Sequence, residues 1–442
     1  MESVPRSRAI ARTYAPGAQD SKNPTDIGDD HGAFGGRRAL ASVSEPTATT
    51  GRKALLRKGF GGSLGNTAKF AAVLPEIDRE TGEILGVESA VDPMLFRVHR
   101  FALQAVVKGL MGSSRTAKCL RWRQFGKQVE VWKSKEYRTA SYAGLQTCGS
   151  VWACPVCAAK IAERRQSEIF AAMTAHRADG GAVFLLTLTA PHQRQDGIAD
   201  LLDKHARALR SFWSRWSVKQ VLAEMGMLGQ IRAAEVTHGR RSEQNNGWHP
   251  HHHILCFARL GRDGGALDEA TRKDWAVRLY LQWAKCCEAA GLGCPSFDHG
   301  LRLDDGSKAS AYVAKWGLED EMTKGHTKKA SHGETPFDFL RAILADSTDK
   351  QARRLFIEFA NAFKGKQQLR WSPGLKKRFA IGELSDEELA AKQDDLARLL
   401  GSLTVAQWHD VLAVEGRALV LQLAASNGGW AAVECYLAEI SQ

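Results

Sequence analysis

The sequence predicts an α+β fold: an antiparallel sheet flanked by helices, with a small cysteine-rich module before it and a helical tail after it. Three observations lead there. Between residues 179 and 318 the hydrophobic pattern runs strand, helix, hairpin, helix, strand, helix. Cys148, Cys154 and Cys157 cluster ahead of that run, and beyond residue 384 the pattern becomes helical, acidic and apolar. The expected units are residues 1–66, 67–178, 179–383 and 384–442.

A chain of 442 residues with 44% hydrophobic content can bury a proper core. Its formal charge of +12 favours a polyanionic partner, either nucleic acid or an anionic membrane surface. No run of about 18 apolar residues occurs, and the N-terminus lacks the order of a secretory signal. The expectation is a cytoplasmic protein with no membrane partner.

Residues 1–66 are rich in Gly, Ser, Thr, Ala, Arg and Asp without sustained apolar periodicity. Such a segment cannot bury enough surface to offset the entropy of ordering, so disorder is expected. Residues 94–111 carry the pattern of a helix or helix pair that opens the folded part.

Cys119 lies in Lys-Cys-Leu-Arg-Trp, followed by the alternating Gln128-Val-Glu-Val-Trp132 and by Cys148-Gly-Ser-Val-Trp-Ala-Cys154-Pro-Val-Cys157. A C-x-x-C step lets both thiolates face one ion, and short strands beside such a knuckle are how small modules present four sulfurs to zinc. The candidate ligands are Cys119, Cys148, Cys154 and Cys157, with a redox pair or plain buried thiols as the alternative. Four thiolates close the coordination sphere, so structural Zn²⁺ is the expected role. Cys256, Cys286, Cys287, Cys294 and Cys435 show no ligand spacing and read as packing residues.

A helix over 158–178 leads to Asp179-Gly-Gly181. The apolar stretch 182–189 reads as a central strand stopped by Pro191, and 198–225 as a helix. Leu201, Leu202, His205, Leu209, Phe212 and Trp213 form its apolar stripe, while Arg210, Arg215 and Trp216 could meet nucleic acid. Residues 229–237 read as a strand, and the polar loop 238–247 joins it to a second one, Trp248-His-Pro-His-His-His-Ile-Leu-Cys-Phe257. Helices over 268–290 and 307–318, with a short strand near 296–303 between them, complete the sheet domain.

Four of the fourteen histidines fall within five residues of that second strand. Strand geometry sends His249, His251 and His253 to one face and His252 to the other. If the hairpin sets Glu235 opposite His251 or His253, two imidazoles and a carboxylate share a face. Such a set holds a divalent ion and leaves positions for water or a phosphate oxygen. A slip of one residue would send Glu235 to the far face. His249 competes as third ligand, and a patch of solvated histidines is the alternative.

Tyr312 and Lys315 stand three apart on the expected helix 307–318 and so are neighbours. A tyrosine hydroxyl titrates near pH 10 and becomes a useful nucleophile when metal and ammonium polarise its target. Ala309, Tyr312, Val313 and Trp316 equally fit an ordinary core stripe. In the C-terminal segment, Lys364, Lys366, Arg370, Lys376, Lys377 and Arg378 occur without an acid between them, and Trp371 adds an aromatic ring. Phosphate contact and base stacking are plausible there beside a merely solvated basic face. Ser385-Asp-Glu-Glu388 is a capping box expected to open a helix to about residue 400, with further helices over 404–414, 417–425 and 430–442.

Leu185-Leu-Thr-Leu-Thr189, Glu235-Val-Thr with Trp248-His-Pro-His-His-His-Ile-Leu, and Tyr312-Val-Ala-Lys315 follow one another in the order of the three motifs of rolling-circle initiators. With the cysteine module and the flanking segments 335–340 and 364–376, the chain resembles plasmid replication proteins of the HUH endonuclease superfamily, single-tyrosine group, over about residues 95–380. The resemblance implies an HUH-type sheet. It implies a metal, Mg²⁺ or Mn²⁺, on His251, His253 and Glu235, with Tyr312 as nucleophile and Lys315 as its helper.

The implied reaction is transesterification at one strand of a plasmid origin, single-stranded or cruciform, giving a 5′-phosphotyrosyl link and a free 3′-OH, with later rejoining. Host helicase and replication machinery are the implied partners, and a homodimer is an allowed assembly. His252 occupies a position usually hydrophobic in the superfamily. Lys308 stands where some relatives place a glutamate that activates water at termination. A transposase or relaxase of a mobile element, or a non-catalytic zinc-containing DNA-binding protein, are the alternatives.

Overall fold

A computed structural model describes residues 93–135, 139–259, 268–306, 333–392 and 397–441, with backbone only at 93–96. All lie in the unit Phe60–Gln442. The expected disordered segment 1–66 and the expected helix 307–318, with Tyr312 and Lys315, lie outside the described residues.

The chain enters through helix α1 (Pro93–Met111) and a single turn, α2 (Arg115–Lys118). Strands β1 (Val129–Ser134) and β2 (Ala140–Ala143) pair antiparallel. Helix α3 (Pro155–Ala178) starts at Cys154 with Pro155 in its first turn, where the missing N–H costs nothing. The main sheet is built from β3 (Ala182–Thr189), β4 (Met227–His238), β5 (Trp248–Ala258), β6 (Leu301–Asp304) and β7 (Leu369–Trp371), in the order β6-β3-β5-β4-β7 with antiparallel pairings.

The expected helix 198–225 is two helices, α4 (Ile198–Ser214) and α5 (Trp216–Glu224), separated by Arg215 in extended conformation. Helix α6 (Glu269–Ala290) is capped by Asp268 and ends at Gly291 in the left-handed region. The short strand expected near 296–303 begins later, after a single turn α7 (Phe297–Gly300). Helices α8 (Pro336–Ala345) and α9 (Lys350–Ala362) and the turn α10 (Leu375–Arg378) follow.

Period two decides what each face of β5 meets. Trp248, Ile254 and Cys256 join Leu209, Phe212, Trp283, Phe339 and Phe359 in the largest core. Leu255 and Phe257 join Leu185, Ile231, Ile169, Met173 and Leu375 on the opposite side. His251 and His253 share the second face but lie beyond its apolar filling, half-buried rather than sealed.

Pro250 in a central strand is tolerated for a geometric reason. Gly239 N–H donates to Gly247 O, which makes the odd-numbered positions of the hairpin the hydrogen-bonded pairs. Pro250, opposite Val236, therefore faces its nitrogen away from β4. The β3 ladder begins only at His251, so no bond is lost on that side either.

The tail differs from expectation. Its first helix, α11 (Asp386–Ala391), has the capping box but stops early, and β8 (Ala397–Leu403) pairs with β1 to make a three-stranded sheet. Leu399 and Leu400 suit a helix by propensity; pairing with β1 overrides it. Helices α12 (Val405–Ala413), α13 (Arg417–Ala425) and α14 (Gly429–Ile440) then pack on β1 and β2, so that Val129, Val131 and Leu145 share a core with Trp408, Val411, Val420 and Leu421. Two exposed cysteines, Cys294 and Cys435, correct the reading of all five remaining cysteines as packing groups; Cys256, Cys286 and Cys287 are buried. Among the described residues no helix is long and apolar enough to cross a membrane.

Candidate active site

Antiparallel pairing sets Glu235 opposite His251 and Ala233 opposite His253. Glu235 Oε2 lies 3.3 Å from His251 Nε2 and 3.6 Å from His253 Nε2. Atoms that each sit about 2.1 Å from one ion subtend roughly 100–120° at such separations, an ordinary pair of ligand angles. Glu235, His251 and His253 therefore form a donor set that could hold a metal ion.

The outer contacts orient the rings. His251 Nδ1 is 3.2 Å from His249 O, an acceptor only, so Nδ1 carries a proton and Nε2 faces Glu235, donating to that carboxylate when the ring is protonated and offering its lone pair to a metal ion when the ring is neutral. His253 Nδ1 is 3.0 Å from Thr187 Oγ1, and Thr187 faces it across the β3–β5 ladder. Burial disfavours the His251 cation, but the hydrogen bond and charge of Glu235 override it and raise the pKa above the usual histidine value. Burial holds His253 down to about 4.

The two remaining histidines separate clearly. His249 stacks on His192 with ring centroids 4.6 Å apart and stands outside the group formed by Glu235, His251 and His253. His252 points to the other face, 5.9 Å from His205, and its pKa is depressed by burial. Trp248 anchors the start of the strand: its Nε1 donates to Glu358 Oε1 at 3.1 Å, and its ring meets His238, Phe339 and Phe359.

The backbone on either side of residues 307–332 is tied to this same sheet. Asp304 pairs with Leu185 on β3, and Arg177 donates to Gly306 O at 2.8 Å. On the return, His238 and Glu334 exchange two backbone hydrogen bonds of 2.8 Å at the end of β4. Glu334 also receives Arg240, which reaches Asp349 as well.

The cysteine cluster assembles as the spacing suggests. Cys119 Sγ is 3.4 Å and Cys148 Sγ 3.7 Å from Cys157 Sγ. Four sulfurs about 2.3 Å from a common ion would be about 3.8 Å apart, so Cys119, Cys148, Cys154 and Cys157 form a group that could hold Zn²⁺. Gln104, fully buried, donates to Cys119 O at 2.8 Å and toward Cys154 Sγ at 3.7 Å, and Ser150 N–H donates to Cys148 Sγ. Contacts with the other three sulfurs hold Cys157 well below the usual thiol range, while those contacts and burial push Cys119 and Cys154 up.

The basic segment is only partly available. Lys364, Lys366, Arg370, Lys377 and Arg378 are exposed. Lys376 is not: it is buried against Glu168 at 3.3 Å and Gly382 O at 3.3 Å, which corrects its reading as a DNA contact. Trp371 is half-buried beside Leu375 and Phe379, with the Lys376 ammonium 5.5 Å from its ring, and so does not stand free for stacking. Sequence reading missed Arg232. It pairs directly with Arg370 across β4 and β7, and burial together with Arg370 depresses its pKa. Only the strand register reveals that pair of like charges.

Residues 142–265 match the family model described as "Replication protein". The matched stretch spans β3, Glu235 and the histidine strand, and it ends before Tyr312. A "Protein rep" of Streptomyces lividans is 27% identical over 358 residues, covering 64% of this chain and 75% of that protein. A protein printed as "Neomycin resistance protein" of Streptomyces cyanogenus is 31% identical over 148 residues, covering 27% of this chain and 33% of its own length. No solved structure matches significantly.

Proposed function

We propose that the chain initiates rolling-circle replication by nicking one strand of a plasmid origin and later rejoining strands, as an HUH-type, single-tyrosine endonuclease. The observation that carries the reading is the Glu235, His251 and His253 group, aimed and hydrogen-bonded for a divalent ion, inside the stretch that matches the replication-protein family. A bound Mg²⁺ or Mn²⁺ would polarise the scissile phosphate and neutralise charge developing on it. Thr187 and the His249 carbonyl fix the two imidazoles, so little reorganisation is needed when substrate arrives.

Tyr312 supplies the nucleophile in this reading. Its assignment rests on the sequence motif. The tyrosine oxygen bonds to phosphorus as the bond from phosphorus to the 3′ oxygen breaks. The phenolic proton is released, the 3′ oxygen takes up a proton, and the 5′ phosphate stays on tyrosine. Lys315 adds positive charge near the phosphate. The phosphodiester energy is retained in the new link, so rejoining needs no nucleotide. Arg370, with Arg232 beside it, and Lys364, Lys366, Lys377 and Arg378 supply positive charge for the DNA backbone, and Zn²⁺ on the four cysteines holds the adjoining module.

Incubating the full chain with Mg²⁺ or Mn²⁺ and the single-stranded origin of its own replicon tests this. A covalent protein–DNA adduct with a 5′-linked tyrosine is expected, lost in Tyr312→Phe and in Glu235→Ala. Binding without cleavage in every divalent metal would instead identify a DNA-binding protein.

A further inference from the structure

The loop 120–128, which leaves the cysteine cluster at Cys119, combines three features that packing does not explain. It is rigidly held, it exposes two aromatic rings, and it is uniformly basic. Leu120 sits at φ +49°, and its N–H donates to Gln146 O at 2.7 Å. Gln146 N–H returns to Trp122 O, Gln124 N–H donates to Gly144 O, and the Gln124 amide donates to Leu145 O. Gly144 is required for this closeness, since a Cβ there would lie 1.8 Å from Gln128 O. Trp408 Nε1 and Glu415 secure Arg121 from the tail.

On this fixed frame Trp122 is 55% exposed and Phe125 105% exposed. Scattered exposed hydrophobics are ordinary, but two rings three residues apart on an ordered loop are a presented surface. Residues 115–128 contain Arg115, Lys118, Arg121, Arg123 and Lys127 and no acid. Arg121 is committed to Glu415, while Lys118 holds its ammonium 4.3 Å from the Trp122 ring.

We infer that this loop is a stacking site for single-stranded DNA, with unpaired bases on Trp122 and Phe125 and phosphates beside Lys118, Arg123 and Lys127. The inference rests on the reading that the chain acts on DNA and names a second surface for it. Ring faces can stack only on bases that are not already stacked in a duplex, which selects the single strand. An anionic membrane surface would also accept rings and cations; the replication-protein match on the same chain favours the nucleic acid.

The test is anisotropy titration of the intact protein with labelled oligothymidine, which carries no origin, and with a mixed-sequence duplex. Trp122→Ala/Phe125→Ala should weaken oligothymidine binding tenfold or more, leave duplex binding within twofold, and keep the slope of log affinity against log salt. Arg123→Ala/Lys127→Ala should reduce that slope by between one and two. Phe125→Ser alone, at a fully exposed position, guards against misfolding, and equal zinc content by elemental analysis confirms the module.

Unchanged oligothymidine affinity in a zinc-loaded Trp122→Ala/Phe125→Ala protein overturns the inference, as does an equal loss on duplex. Loss of binding to phosphatidylserine vesicles without loss on DNA assigns the loop to membranes and overturns it too. Adduct formation by the wild-type chain separates the two readings: adduct with unaltered variant affinity sinks only the loop. No adduct and no oligothymidine binding by wild type sinks the DNA reading itself.

Discussion

Thr187 faces His253 across the β3–β5 ladder, its hydroxyl 3.0 Å from the imidazole Nδ1, and so turns Nε2 toward Glu235. The ring orientation that a metal needs is thereby set by a residue that is not itself a ligand. Thr187→Val should lower Mn²⁺ affinity roughly 10- to 100-fold while leaving the fold intact. Isothermal titration of metal against wild type and variant, with circular dichroism as the folding control, decides it.

Lys376 and Arg370 are six residues apart, yet one is buried in ion pairs and the other is exposed. Arg370→Ala should weaken DNA binding and reduce the salt slope by about one, with stability unchanged. Lys376→Met should do the reverse, lowering the denaturation midpoint and sparing the salt slope. Equal effects of the two on DNA binding would contradict this division.

Arg240 holds Glu334 through two nitrogens at 2.9 Å, with both side chains 6% exposed, and Asp349 at 2.7 Å. Glu334→Ala leaves the buried guanidinium with Asp349 alone, so a loss of about 1–3 kcal/mol in unfolding free energy is expected. The same substitution frees one anchor of the segment that returns from residues 307–332. Urea denaturation measures the first effect, and adduct formation the second.

His205 is 2% exposed on α4, and burial, with His251 and His192 adding to it, holds its pKa down to about 4. The unfolded chain takes up this proton as pH falls below about 6.5, whereas the folded chain resists until near 4. Stability should therefore fall from pH 6.5 toward 4, by on the order of 2 kcal/mol at pH 5 from this residue. His205→Gln should show a correspondingly shallower loss between pH 7 and pH 5 in urea melts.

By itself the sequence determined which residues have the right period and spacing. Alternating His251 and His253, Glu235 on the preceding strand, and Cys154-Pro-Val-Cys157 at a helix start were legible because strand and turn geometry act over a few residues. The antiparallel order of the hairpin followed from its polar loop. Tertiary structure decided everything that depends on distant chain segments. Register had to exclude the one-residue slip before Glu235 could meet the histidines. The tail became a strand because β1 offered an unpaired edge to residues whose local preference was helical. Lys376 and Trp371 lost their expected exposure to Glu168 and Leu375, and Arg232 gained a partner in Arg370, because burial and pairing are set by neighbours far away in sequence. The aromatic loop at Trp122 and Phe125 follows the same rule: its residues were always visible, but only the fold shows them ordered and uncovered.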